Sequence, residues 1–378
     1  MSNALTIRIV WGLLALAAAS TVFVVKIAHR MPDYEVYRTA AGRVLSAEPL
    51  YRESDGHWQF KYLPAFAVVT SPLAVLPNPI ARAAWFGLSL GLLVVLLRTS
   101  ASLIPDRLCS RGVLIGTTVV LLGKFYAHEL ELGQVNILMA MLIVVAAASM
   151  KRGREALAGA LVGCAIIVKP YAILFAPYLV ARRRPGSLRV LVAVLAAALI
   201  APAAIYGVEG NARLLGAWWE TVTGSTPANL NSSNNVSALS VFTRALGPGG
   251  PARLLAAITI GGLFATAVFV FVRRGRISSP EGLEIGLLLM MVPIISPQGW
   301  DYVFLVATPG VMYLVNYREK LPPAVRALVV TALLIVAFSI YDLVGHRAYT
   351  TFMSWSIIPL CYVVQIGGMA VLRAREIA

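Results

Sequence analysis

KRGREALAGALVGCAIIVKPYAILFAPYLVARRR, residues 151–184, decides what kind of molecule this is. Two basic clusters, Lys151, Arg152 and Arg154 on one side and Arg182, Arg183 and Arg184 on the other, bracket an apolar stretch from Glu155 to Ala181. Short basic loops beside apolar segments mark the cytoplasmic side of a membrane protein. Two successive loops on one side require an even number of crossings between them. The stretch is long for one helix, which takes roughly 20 residues to span the hydrocarbon, and short for two. Lys169-Pro170 interrupts it, and lysine is expensive in hydrocarbon while proline breaks a helix. The segment therefore reads as a tight hairpin of two short helices, 155–168 and 170–181, with its tip at Lys169 on the opposite face.

The same pattern extends over the whole chain. Of its 378 residues 59% are hydrophobic and 13% charged, and the mean hydropathy is +0.79. That combination excludes a water-soluble globular protein. Apolar segments recur from Ile7–Ala28 to about 351–372, and the first is read as a retained helix because it is long for a signal-peptide core. The formal charge of +15 resides largely in further clusters at Arg189, Arg273–Arg276, Arg318–Arg326 and Arg373–Arg375, which the positive-inside rule accounts for without nucleic acid. Placing these inside puts 29–61, 123–134, 208–252, 297–301 and 344–350 outside. Arg98, Arg107 and Arg111 then require that 62–77 or 83–97 fail to cross. The proline-rich 62–77 is the better candidate for a broken segment. The expectation is an all-α polytopic membrane protein, one transmembrane domain over residues 1–378 with about 12 crossings. Its first outer loop, 29–61, carries an interfacial helix, with Tyr34, Tyr37, Ala41, Val44 and Leu45 at helical spacing and Arg38 and Arg43 toward headgroups. A second long outer loop covers 208–252.

Polar residues that topology does not explain gather on the outer side. Asp33, just beyond the first span, could take a proton from an alcohol, or could serve with Pro32 and Glu35 as a helix start. Lys169 could hold a phosphate at headgroup level, or snorkel, or pair with Glu129 or Glu131. Gln134 and Asn136 suit a hydroxyl-rich ligand, or cap a helix. Asp301, in the turn Ser296–Tyr302, could touch a ligand or cap the next helix. His57, Lys61 and Arg244 face the same way. Gly159 and Gly163 read as helix packing. Asn231 and Asn235 begin glycosylation sequons, a weak pattern. Cys109, Cys164 and Cys361 suggest neither disulfide nor metal site. There is no P-loop, no dinucleotide glycine fingerprint and no metal-binding Asp-x-Asp pair, so an enzyme built this way would use a lipid-borne donor.

In order along the chain stand DYEVYRTAA (33–41), PLY (49–51), FKYLPAF (60–66), PLAVLP (72–77), GQVN (133–136), AGALVG with VKP (158–170) and SPQGWDY (296–302). This series resembles the glycosyltransferase family 87 membrane proteins, polyprenol-phosphate-mannose-dependent mannosyltransferases of the GT-C fold. The resemblance implies a GT-C-type bundle with interfacial helices in the first outer loop, a polyprenyl-phosphate sugar donor, and Asp33 as catalytic base of an inverting transfer. Some relatives carry histidine in the late SP motif where this chain has Asp301-Tyr302.

The expected function is transfer of a hexose, mannose by resemblance, to a lipid or glycan acceptor on the non-cytoplasmic face of the cell membrane. Asp33 acts as base. Lys169, Lys61 and Arg244 hold the donor phosphate, and Gln134, Asn136, Asp301 and His57 hold sugar or acceptor, with neither cofactor nor metal. The alternatives are a secondary transporter or lipid flippase, which would place binding groups near the midplane in repeated broken helices, and a non-catalytic assembly partner.

Overall fold

The computed structural model of the chain describes residues 3–277 and 279–377. It is an all-α multi-pass membrane protein. Among the described residues four helices are long and apolar enough to cross a bilayer: Asn78–Leu103, Arg111–Leu132, Gly250–Gly275 and Ile357–Ala374. Two bent pairs, Gly12–Ile27 with Pro32–Leu45 and Pro185–Ile200 with Ala203–Asn229, bring the number to six if each is one span. Shorter apolar helices cover Asn136–Lys151, Glu155–Val168, Pro170–Ala181 and Pro323–Phe338.

At the centre stands Glu281–Ile295, buried at every position from Glu281 to Ile294, as expected of a helix that is apolar all round. Thr308–Tyr317, also wholly buried, packs antiparallel beside it. Asn78–Leu103, Asn136–Lys151, Gly250–Val272 and Ile357–Ala374 pack around the first of these, and Arg111–Leu132 against the second.

The basic clusters meet at one end. Arg184 reaches Glu155 at 3.1 Å, Arg274 donates to the Ala181 carbonyl at 2.7 Å, and Arg375 to that of Lys320 at 3.0 Å. Arg373, with no exposed surface, lies 3.5 Å from Glu284, and Arg182 pairs with Glu281. The loop after Leu103 joins the same end, because the Leu108 amide donates to Asn316 Oδ1 at 2.8 Å, close to the cluster at Arg318. Asn78–Leu103, with 26 residues, thus runs end to end over about 39 Å at 1.5 Å per residue. Residues 62–77 form two short helices, Pro64–Thr70 and Pro72–Val75, split where Pro72 enters. Arg98, Arg107 and Arg111 accordingly lie with the other basic groups.

Within the 151–184 stretch, helix Glu155–Val168 ends at Lys169, and a 3-10 turn, Pro170–Leu174, leads into Phe175–Ala181. Gly159 and Gly163 face Pro185–Ile200 closely: a Cβ on Gly159 would stand 2.1 Å from the Ser187 carbonyl oxygen. The packing reading of that pair is the one the structure supports.

The helix Pro32–Leu45 buries Tyr34, Tyr37, Ala40, Ala41 and Val44. Its arginines do not point to headgroups. Arg38 donates to the Leu73 and Leu76 carbonyls at 2.6 and 3.0 Å, acceptors left without intrahelical partners at the end of Pro72–Val75. Arg43 forms a bidentate pair with Asp55 at 2.6 and 2.7 Å. Leu45 is exposed rather than buried.

This helix is seated against the end of Arg111–Leu132. Gly133 closes that helix at φ 71°, the left-handed conformation that glycine adopts without a Cβ penalty. Its carbonyl accepts from the Trp85 indole at 2.8 Å, and the Met31 amide donates to the Glu131 carbonyl at 3.1 Å. A Cβ on Gly133 would lie 2.8 Å from Tyr34 Cβ. Gly133→Ala therefore combines a left-handed alanine, about 1–2 kcal/mol, with a contact that pushes Pro32–Leu45 away. Its thermal midpoint in detergent should fall measurably below wild type. Gly123→Ala, where nothing lies within 4 Å of the added Cβ, should not lower it.

Candidate active site

At the end away from the basic clusters lies a cavity of about 530 Å³. Each wall has its own origin. Pro32–Leu45 supplies Asp33 from its first turn, and the loop after it supplies His57, Trp58, Lys61 and Tyr62. The end of Arg111–Leu132 supplies His128 and, just beyond, Gln134. The hairpin tip supplies Lys169 and Tyr171, and the turn after Glu281–Ile295 supplies Ser296, Gln298, Trp300, Asp301 and Tyr302. Segments distant in sequence thus bring Asp33, Asp301, Lys61, Lys169, His57 and His128 to one space.

A hydrogen-bonded chain links the lysine to Gln134, which lines the cavity with Asp33. Lys169 Nζ donates to the Tyr62 hydroxyl at 3.0 Å and sits 4.7 Å from the centre of the Tyr62 ring. The Tyr37 and Tyr62 hydroxyls are 2.8 Å apart, and both approach Gln134 Oε1, at 3.1 and 3.2 Å. Two hydroxyl protons serve these three contacts, and an ammonium can only donate. Donation therefore runs from Lys169 through the tyrosines to the Gln134 oxygen. That leaves the Gln134 NH₂ for Asp33, whose ionised form it favours.

Burial raises the Asp33 carboxyl above the ordinary aspartate range, opposed first by the Lys169 charge, then by Gln134, His128 and His57. Burial also pulls the Lys61 ammonium down, with Asp33 opposing that shift and Lys169 adding to it. The site is a partly desolvated space in which the Asp33 and Asp301 carboxylates share a cavity with Lys61 and Lys169.

Asn136 does not line the cavity. Its side chain donates to Glu129 Oε2 at 2.9 Å and accepts from the Tyr171 hydroxyl, while Glu129 Oε1 takes the amides of Asn136 and Ile137. The buried Glu129 carboxylate caps Asn136–Lys151, where a negative charge suits a helix N-terminus. Arg244 is also absent from the lining. Its guanidinium donates to the Ser232 and Asn235 carbonyls at 2.7 and 2.8 Å and to Ser356 Oγ at 2.7 Å, tying the second outer loop to the last helix. The expectations of sugar binding by Asn136 and phosphate binding by Arg244 are corrected on that ground, because both side chains are engaged inside the protein.

The polar run 231–237 clasps the Ser296–Tyr302 turn. The Val236 amide donates to the Gly299 carbonyl at 2.6 Å, the Asp301 amide to that of Asn234 at 3.0 Å, and Asn235 Nδ2 to that of Pro297 at 3.0 Å. Asn235, with no exposed surface, is closed to glycosylation. Tyr37, Tyr62, Tyr171 and His128 were not singled out for roles by the sequence. The signal for Tyr62 was its place beside Lys61, and that for Tyr37 was a helical stripe that reads as core.

A family model described as glycosyltransferase family 87 matches residues 60–297. The chain belongs to that family. No curated protein matches it. The family match covers Lys61, Tyr62, His128, Gln134, Lys169 and the start of the Ser296 turn, so much of the cavity wall lies in the region diagnostic of a glycosyltransferase. A sugar donor and an acceptor are thereby its substrates, and Asp33, His57 and Asp301 stand outside the matched span.

Because the native state raises the Asp33 pKa, the folded protein binds this proton more readily than the unfolded chain. Ionised Asp33 then costs stability, and the cost is relieved as pH falls toward and below the native pKa. Asp33→Asn removes the charge and keeps the shape. At pH 7 its thermal midpoint should equal or exceed that of wild type, and a clearly lower one would make the carboxylate a structural group.

Proposed function

We propose that this glycosyltransferase moves a hexose, mannose by family resemblance, from a polyprenyl-phosphate donor to the hydroxyl of a lipid or glycan acceptor, with inversion. In this reading the cavity opens on the non-cytoplasmic face of the cell membrane, since the basic clusters occupy the other end. The observation that carries the proposal is the meeting of the Asp33 carboxylate with two ammonium groups, Lys61 and Lys169, in a single cavity at that end, which Asp301 also lines.

Asp33 takes the proton of the acceptor hydroxyl as its oxygen bonds to the anomeric carbon. The bond from that carbon to the phosphate oxygen breaks on the opposite face. The leaving polyprenyl phosphate gains a negative charge, and Lys169 and Lys61 stabilise it in a space where water screens little. Gln134 orients the carboxylate, and Asp301 and His57 are within the wall for sugar or acceptor hydroxyls. A GT-C-type arrangement, with Pro32–Leu45 along the interface beside the first span, suits a donor whose tail remains in lipid. A transporter would be served better by binding groups at the bilayer midplane than by a cavity at one end.

Incubating the purified protein with radiolabelled polyprenyl-phosphate mannose and extracted membrane lipids should transfer label to an acceptor. Asp33→Asn should lower that rate by about 10²–10⁴-fold, the usual contribution of a positioned general base. Full transfer by a folded Asp33→Asn protein would sink the mechanism. The acid limb of kcat should lie above the ordinary aspartate range. Lys169→Gln removes the cation that most depresses the Asp33 pKa, so its acid limb should move to higher pH while the donor KM rises.

A further inference from the structure

A second cavity, of about 310 Å³, lies on the neighbouring stripe of Pro32–Leu45 and shares Val36 and Trp58 with the first. Its charged groups are partly engaged: Arg43 with Asp55, and Glu35 Oε1 with Arg82 and Asn78. Three polar groups have no hydrogen-bond partner among the described residues: Glu35 Oε2, the Thr39 hydroxyl and the Trp58 indole N–H. The Trp58 side chain meets the His57 ring edge to face and remains 48% exposed. An exposed aromatic face with a carboxylate oxygen and a hydroxyl nearby is the chemistry that recognises a pyranose, apolar on one face and rimmed by hydroxyls.

Resting on the reading of Asp33 as base, we propose that this cavity holds the sugar ring next to the one being glycosylated, so that the acceptor is a glycan of at least two rings. Thr39 follows Asp33 by six residues, about 9 Å along the helix axis at 1.5 Å per residue. Thr39 is also turned about a third of the way round the helix from Asp33, and Val36 and Trp58, which line both cavities, stand between the two positions, so a ring next to one held at Asp33 would lie against Trp58 and Thr39. The Arg43–Asp55 pair fixes the loop that carries Trp58, so this platform exists before the acceptor arrives.

The test measures binding, so that it is decided whether or not transfer is observed. The full chain carrying Asp33→Asn, in nanodiscs free of glycosidic detergent, is titrated calorimetrically with an alkyl mannoside and with an alkyl mannobioside of the same chain length. The two-ring ligand should bind at least tenfold more tightly. Adding Thr39→Phe, which fills the second cavity, or Trp58→Ala, which removes the exposed platform without touching the core, should reduce that preference to near unity. Equal affinities for the two ligands, binding of neither, or a preference that survives Trp58→Ala would overturn the proposal. Failure of Asp33→Asn to impair transfer would overturn the catalytic assignment alone and leave the binding result standing.

Discussion

Lys169 stands where an apolar hairpin breaks, and the break and the charge require each other. An ammonium within hydrocarbon is unfavourable unless it reaches water or a partner, and Pro170 prevents the helix that ends at Val168 from continuing past it. The chain resolves both by turning at the polar end of the bundle, where Tyr62 accepts from the ammonium and offers its ring face. Tyr62 is set by Tyr37, Tyr37 by its helix, and that helix by Gly133 and the Glu131 carbonyl. Displacing any of these moves the partner of a charge that has few other places to go.

The membrane class and the common end of the basic clusters were legible because both follow from transfer energies that each residue carries wherever it sits. The broken 62–77 segment was legible for the same reason, since its prolines forbid a continuous helix. Side-chain assignments fared less evenly. Gln134 and Asn136 look alike in sequence, yet one faces the cavity and the other the Glu129 cap, because Gln134 lies in the turn between two helices and Asn136 is the first residue of the second. Arg38, Arg43 and Arg244 carry the composition of headgroup or phosphate ligands. They are engaged instead by unpaired carbonyls and by Asp55, acceptors that exist only once the loops have folded. Tyr37 and Tyr62 were hidden by their resemblance to ordinary core, because the hydroxyl that matters is a small part of a large apolar ring.

Two carboxylates near the same helix junction show what separates a structural acid from a reactive one. Glu129 receives two backbone amides and a carboxamide, all from the start of Asn136–Lys151. A carboxylate so engaged has its hydrogen bonds committed inside the protein. Asp33 also lies at a helix start, where the dipole would suit it, but it lines the open cavity together with Lys61 and Lys169. It is buried enough for its proton affinity to rise, near enough to Lys169 to keep the charge from being expelled, and free enough to meet a hydroxyl. Local sequence marks both residues as helix-end acids, and the difference in reactivity comes from what each has left to bond.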